Sequence, residues 1–378
     1  MKFPVPLLIG TALLCSPLAA EQSLFRNSAI SFGGGTLLDM KAADVNHDGK
    51  QDVILFQAKT ESQSACSIIT MFGSGDGTFR PPVKTPIASC GSVAFGDLDS
   101  DGNVDVVLSG HESVIEVYRG NSDGSFTLRS TKNKTGSTLY GGANLLLSDL
   151  NGDGKLDLII PASCCQQTET FRGNGDGTFA DAVLQPDFVT GLTDIVAADF
   201  NGDGRTDMLA TTGSRQSLIT GKGDGKFNAP TVLSADGRVA VAGDFNGDLK
   251  TDYVAMGAAN AFAFVHIGKG DGTFTTGATY ITGPISRAFP VDIDGDGKLD
   301  IVAAGKDILT VLRGNGDGTF VVNSYALKPR ALDVGIAATF AVADFDGDHL
   351  LDVMAGSDTT LTFFHGNGDG SLAGYRKA

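Results

Sequence analysis

The chain has 378 residues, 51 of them glycine and none tryptophan, and a net charge of −16 at pH 7. That acid excess disfavours nucleic acid as a partner, because little would neutralise its phosphates. After the leader, no apolar run approaches the roughly 18 residues of a membrane-spanning helix, so no membrane span is expected.

Residues 1–20 read as a signal peptide. Lys2 gives a positive start, an apolar stretch runs from Val5 to Leu18, and Ala19-Ala20 is a small-residue exit. Cleavage after Ala20 is expected, and with it a secreted or extracellular location, or a periplasmic or cell-surface one. Lipid attachment at Cys15 is disfavoured by the bulky Leu14 before it. Residues 21–378 are read as one repeat domain.

An acidic pattern, Asp-x-Asn/Asp-x-Asp-Gly-x-x-Asp, recurs through that domain. Its copies start at Asp44, Asp97, Asp149, Asp199, Asp244, Asp292 and Asp344, between 45 and 53 residues apart. A second signature, Gly-x-x-Asp-Gly-x-Phe, lies inside each period, from Gly73–Phe79 to the variant Gly366–Leu372. Asp-Gly between apolar runs marks a tight hairpin, since glycine accepts the positive φ that the turn needs. Two hairpins per period predict four strands, A and B around the acidic loop, C and D around the second signature. Short aliphatic runs such as Asp105-Val-Val-Leu108 agree. A four-stranded sheet with two apolar faces cannot bury them alone, and a ring of such sheets covers both. The expected fold is therefore all-β, a seven-bladed β-propeller of four-stranded antiparallel blades. The N-terminal segment 25–33 should complete the last blade and close the ring, because Phe25 stands 19 residues before Asp44, like the signature Phe of other repeats.

Each acidic loop places oxygen side chains at positions one, three, five and nine, with a turn at position six. In chain order the sets are Asp44, Asn46, Asp48 and Asp52; Asp97, Asp99, Asp101 and Asp105; Asp149, Asn151, Asp153 and Asp157; Asp199, Asn201, Asp203 and Asp207. The remaining three are Asp244, Asn246, Asp248 and Asp252; Asp292, Asp294, Asp296 and Asp300; Asp344, Asp346, Asp348 and Asp352. A hard cation takes six to eight oxygens, and calcium tolerates such a flexible cage better than magnesium does. Up to seven calcium ions are expected, one per blade. They would reduce the net charge of the mature chain from −17 to about −3, which accounts for most of the acidity. Position six is Leu249 and His349 in the fifth and seventh loops, so these should bind more weakly. The lone aspartates of the second signature, such as Asp76 and Asp224, are read as turn formers.

The paired signatures, as in Asp199-Phe-Asn-Gly-Asp-Gly-Arg-Thr-Asp207 followed by Gly221-Lys-Gly-Asp-Gly-Lys-Phe227, resemble FG-GAP/VCBS repeats. Such repeats build the integrin α-subunit head and many bacterial secreted proteins. The resemblance implies an integrin-alpha-like propeller with calcium in the A–B loops of the lower face and partners on the upper face.

Cys66 and Cys90 fall at neighbouring ends of strands C and D and should form a disulfide; Cys164 and Cys165 lie in a B–C loop. No His-Glu-x-x-His and no phosphate loop occur, and His47, His111, His266, His349 and His365 are scattered. The protein is therefore expected not to be an enzyme. It reads as a monomeric binding or adhesion module for an extracellular glycan or protein. The alternatives are a polysaccharide-active enzyme with an upper-face site and a structural envelope scaffold. The segment Thr127–Gly142, with Arg129, Lys132, Lys134 and Tyr140, forms the candidate recognition patch together with the Cys164-Cys165 loop, and Tyr140, Tyr280 and Phe188 are candidate sugar-stacking rings.

Overall fold

The computed structural model describes residues 30–31, 35–58, 66–87, 90–110, 114–135, 145–161, 168–185, 191–213, 215–234, 237–257, 261–305, 307–327, 339–356 and 360–373. The predicted signal peptide, Cys164, Cys165, His111, Tyr140 and Phe188 lie outside them.

Seven antiparallel sheets follow one another along the chain, and no helix occurs among the described residues. The first blade consists of strands A to D at Thr36–Ala43, Asp52–Ala58, Cys66–Met71 and Val83–Ile87, paired in that order. Later blades open with strand A at Gly91–Gly96, Leu146–Ser148, Leu192–Ala198, Val239–Gly243, Arg287–Val291 and Thr339–Ala343. Strand B is buried along nearly its whole length in every blade, as in Asp52–Ala58 and Asp300–Ala304, because it lies between two neighbouring sheets.

The apolar core is divided into seven clusters, one at each blade-to-blade interface. Ile54, Phe56 and Ile68 of the first blade meet Val106, Leu108 and Phe126 of the second. The ring is complete, since Leu37, Leu55 and Ile69 of the first blade pack on Phe345, Met354 and Leu361 of the seventh. Each blade thus buries both faces, as the sequence predicted.

The seventh blade contains Thr339–Ala343, Asp352–Gly356 and Thr360–Gly366 as strands A to C. Two short pieces then pair with its strand C. Leu372–Ala373 lies against His365 and Gly366, and Ile30–Ser31 lies against Leu361 and Thr360. Of the segment 25–33 expected to close the ring, only these two residues lie among the described ones.

A disulfide joins Cys66 and Cys90, whose Cα atoms are 5.3 Å apart. It links the start of strand C to the segment just before the second blade, at the end away from the acidic loops. Replacing both cysteines by alanine should cost about 3 kcal/mol through loss of a 24-residue cross-link, read as a fall in the denaturation midpoint. An unchanged midpoint would rule out a stabilising bridge.

Candidate metal centres

All the predicted metal ligands lie among the described residues, on the A–B loops at one end of the ring. Every loop is eight residues long between strands A and B. Its shape is held by the ligand residues themselves. The position-one carboxylate accepts the position-six amide in all seven, as in Asp44 with Gly49 at 2.9 Å and Asp244 with Leu249 at 2.7 Å. The position-five carboxylate accepts the amide two residues later, as in Asp203 with Arg205 at 2.9 Å.

Leu249 and His349 take the strained left-handed conformation at φ 63° and 70°, as their place in the pattern required. Position four is left-handed too, with His47 and Ser100 at φ 58° and Gly202 at 74°. The sequence carried that signal, a glycine at position four in five of seven loops, but it was not read.

Position nine has a second task that the spacing did not reveal. Each of these aspartates is buried at the start of strand B. One oxygen of Asp207 accepts the Phe200 amide at 3.1 Å and the other accepts the Gly221 amide at 2.7 Å. The same pair of bonds recurs in all seven blades, for example Asp52 with Val45 and Gly73. The carboxylate therefore ties the A–B hairpin to the C–D hairpin. This explains why the two signatures travel together. It also explains the leading glycine of the second one, because a Cβ on Gly73 would stand 2.2 Å from the Gln51 carbonyl oxygen. Burial pushes these carboxyls up, Asp105 and Asp352 to about 6.

The second signature also clasps the neighbouring blade. Gly318 donates its amide to the Phe245 carbonyl at 2.9 Å, and the Phe245 and Phe320 rings pack edge-on at 5.5 Å. The lone aspartates there are turn formers. Thr78 donates both its hydroxyl and its amide to Asp76, which holds that carboxyl below its ordinary range.

The donor sets fit a hard cation. Asp97, Asp99 and Asp101 offer oxygens within 4.8 Å of one another, as do Asp292, Asp294 and Asp300, and Asp344, Asp346 and Asp352. Asp99 Oδ1 is buried and accepts no hydrogen bond among the described residues. A carboxylate oxygen in that state wants a cation. At position nine each oxygen keeps a second lone pair after accepting its amide, so ligation remains open to it.

The loops differ in one respect that only the fold displays. Where position three is a carboxylate, the residue before the signature glycine is a cation or an imidazole. Arg119 lies 3.3 Å from Asp99 and 2.6 Å from Asp101, and Arg313 lies 2.6 Å from Asp294. His365 Nδ1 lies 2.9 Å from Asp346. Where position three is Asn46, Asn201 or Asn246, that residue is the uncharged Phe72, Thr220 or Ile267. In the third loop, with Asn151, Arg172 turns instead to Asp153 at 3.6 Å. The fourth carboxylate is thus matched by a basic group from strand C.

A family model described as the FG-GAP-like repeat matches residues 44–108, 97–160, 199–255 and 292–355. The chain belongs to this family. No curated protein matches this FG-GAP-like chain. Among solved structures it is similar to an Agrocybe aegerita lectin, described for its specific recognition of non-reducing terminal N-acetylglucosamine. That likeness has a TM-score of 0.55 at 20% identity over 87% of each chain. It is also similar to BBS1N, solved in complex with ARL6DN and soaked with mercury, with a TM-score of 0.58 at 7% identity over 89% of this chain and 93% of that one. At such identities the likeness is one of fold.

Other side chains depart from expectation. In the proposed recognition patch, Lys134 is buried, its Nζ donating to Ser109 Oγ at 3.1 Å, and Lys132 pairs with Asp181 at 2.6 Å. Arg129 donates to the Asp176 carbonyl of the next blade. Arg129 and Lys132 thus tie the second blade to the third, while Lys134 is held inside its own blade and is closed to a partner. The Tyr280 hydroxyl accepts the Phe320 amide at 2.9 Å and its ring packs on Phe320, so it is an interface residue and not a stacking platform. Contrary to the expectation that the chain holds no Gly-x-Ser-x-Gly, the string Gly120-Asn121-Ser122-Asp123-Gly124 has that spacing. It forms the C–D turn of the second blade and lacks the strand-to-helix elbow that such a nucleophile needs.

The sequence reading also missed a group on the innermost strands. Asp39, Asp194 and Arg287 all lie five residues before an acidic loop, on strand A. Strands A of adjacent blades touch, so they line the axis. Arg287 of the sixth blade reaches Asp39 of the first at 2.6 Å, and Thr339 of the seventh also donates to Asp39. Asp194 accepts the Ala240 amide at 2.9 Å, and crowding by protein raises its pKa to about 6 despite the nearby Arg287. This folded value exceeds the unfolded 3.8, so the carboxylate costs stability above pH 6 and ceases to do so once protonated in both states. Asp194→Asn should therefore raise the melting temperature at pH 7.5, with the gain shrinking through pH 6 and vanishing near pH 4. A gain that does not depend on pH would contradict this.

Proposed function

We propose that this FG-GAP-like propeller is a secreted, calcium-binding module that recognises an extracellular glycan or protein and performs no chemistry on it. One observation carries the reading. The acidic end of the ring is constant, with eight residues in every A–B loop, whereas connections at the opposite end vary from two to twelve residues. A constant end with repeated cation donors suits a scaffold, and variable loops on a rigid frame suit recognition. Calcium bound among the aspartates would neutralise the loops and hold the hairpins together. Asp44, Asp48 and their counterparts would ligate it, and Arg119 and Arg313 would offset the extra carboxylate of their loops.

The lectin that shares this fold makes glycans the first class to test. Calcium-loaded protein should bind a subset of an immobilised glycan panel, saturably and without consuming it. A second panel of extracellular proteins covers the other partner class. Silence on both panels from folded, calcium-loaded protein would overturn the reading, and breakdown of a polysaccharide would establish the enzyme instead.

A further inference from the structure

The seventh loop differs from the other six in its chemistry. Its strand C neighbour is His365, where the other blades place Phe72, Arg119, Arg172, Thr220, Ile267 and Arg313. Of these residues only His365 carries a side-chain nitrogen of a metal-ligating type. Strand pairing holds it there, since Phe364 lies opposite Val353 and His365 lies opposite Ala373.

Three carboxylates surround the ring. Nδ1 is 2.9 Å from Asp346 Oδ2 and 3.3 Å from Asp352 Oδ1, and Nε2 is 3.6 Å from Asp348 Oδ2. The Asp346 and Asp352 side chains are 5% and 0% exposed, so little water shields their charge. Ligand atoms of Asp346, Asp348 and His365 lie within 4.8 Å of one another, as do those of Asp344, Asp346 and Asp352.

We propose that this loop is a site for a borderline divalent cation such as zinc, with His365 Nδ1 as the nitrogen ligand beside Asp346 and Asp352. The proposal rests on the reading of the acidic loops as cation sites. It adds a different metal class at one of them. Calcium is held by oxygen, whereas imidazole suits zinc and its neighbours. The separations agree. Ligands about 2.0–2.2 Å from zinc stand about 3.0 Å apart along an octahedral edge and about 3.4 Å apart along a tetrahedral one. The two Nδ1 distances, 2.9 and 3.3 Å, fall in that range.

The test is a calorimetric titration of zinc into the full-length protein already saturated with calcium. One zinc site is expected. His365→Gln should weaken it by about 100-fold or more, whereas His47→Gln, which removes an exposed imidazole of the first loop, should leave it unchanged. Arg313→His gives the sixth loop the same donors, so it should create a second zinc site. That arm stands even if His365→Gln fails to fold. No zinc binding beside calcium, or zinc binding indifferent to His365→Gln, would overturn the proposal and reduce His365 to an ion-pair partner of its aspartates. Zinc binding that depends on His365 in a protein that takes up no calcium would support it and defeat only the calcium reading.

Discussion

Chelating calcium should lower the melting temperature by on the order of 20 °C, and adding calcium back should restore it better than magnesium does. Extracellular calcium modules bind with Kd of about 10⁻⁴–10⁻³ M. At tenfold excess of free ion, one site contributes about 1.4 kcal/mol, and seven independent sites contribute about 10 kcal/mol. A typical domain has a total stability of about 5–15 kcal/mol. For a chain of this size each kcal/mol moves the midpoint by about 2 °C. The loops should not contribute equally. Asp153→Ala should hurt more than Asp248→Ala, because Leu249 holds the fifth loop in a strained conformation and its site should be weaker from the start. Calorimetry of chelated and calcium-loaded protein checks both statements. Coincident melting curves would mean that the loops are acidic turns without a metal.

Asp207→Ala should destabilise the propeller by about 4 kcal/mol whether or not calcium is present. Its two oxygens satisfy the buried amides of Phe200 and Gly221. Each amide left without a partner costs about 1–3 kcal/mol. Asp207→Asn keeps one accepting oxygen and turns an amide group towards the other N–H, so it should recover about half. Asp203→Ala provides the contrast. Asp203 is exposed and accepts only the Arg205 amide and a longer bond from Asn201 Nδ2 within its own loop, so its loss should cost under about 1 kcal/mol in chelated protein. With calcium present a further 1.4 kcal/mol or so should disappear with the site. Denaturant titrations of both variants, each with and without calcium, separate the two roles. A loss at Asp207→Ala that disappears on chelation would make this residue a ligand only.

What could be read directly from the chain was local. Strand number, turn positions and the donors of each loop depend on residues within about ten positions of one another. Backbone torsion preferences act over that distance, so Gly73–Phe79 or Asp199–Asp207 carried its own geometry. The period near 50 then implied a closed ring, since no four-stranded sheet can bury two faces by itself. Juxtapositions that depend on the rotation between blades were decided by the tertiary structure. Asp207 meets Gly221 because strands B and C run antiparallel from shared loops, and Phe245 meets Phe320 because adjacent blades interlock. Arg287 finds Asp39 across 248 residues because the ring brings the innermost strands to one axis. His365 looked like a scattered histidine in the sequence and stands among three aspartates in the fold. Its distance along the chain from Asp346 said nothing of the strand pairing that sets the two side by side.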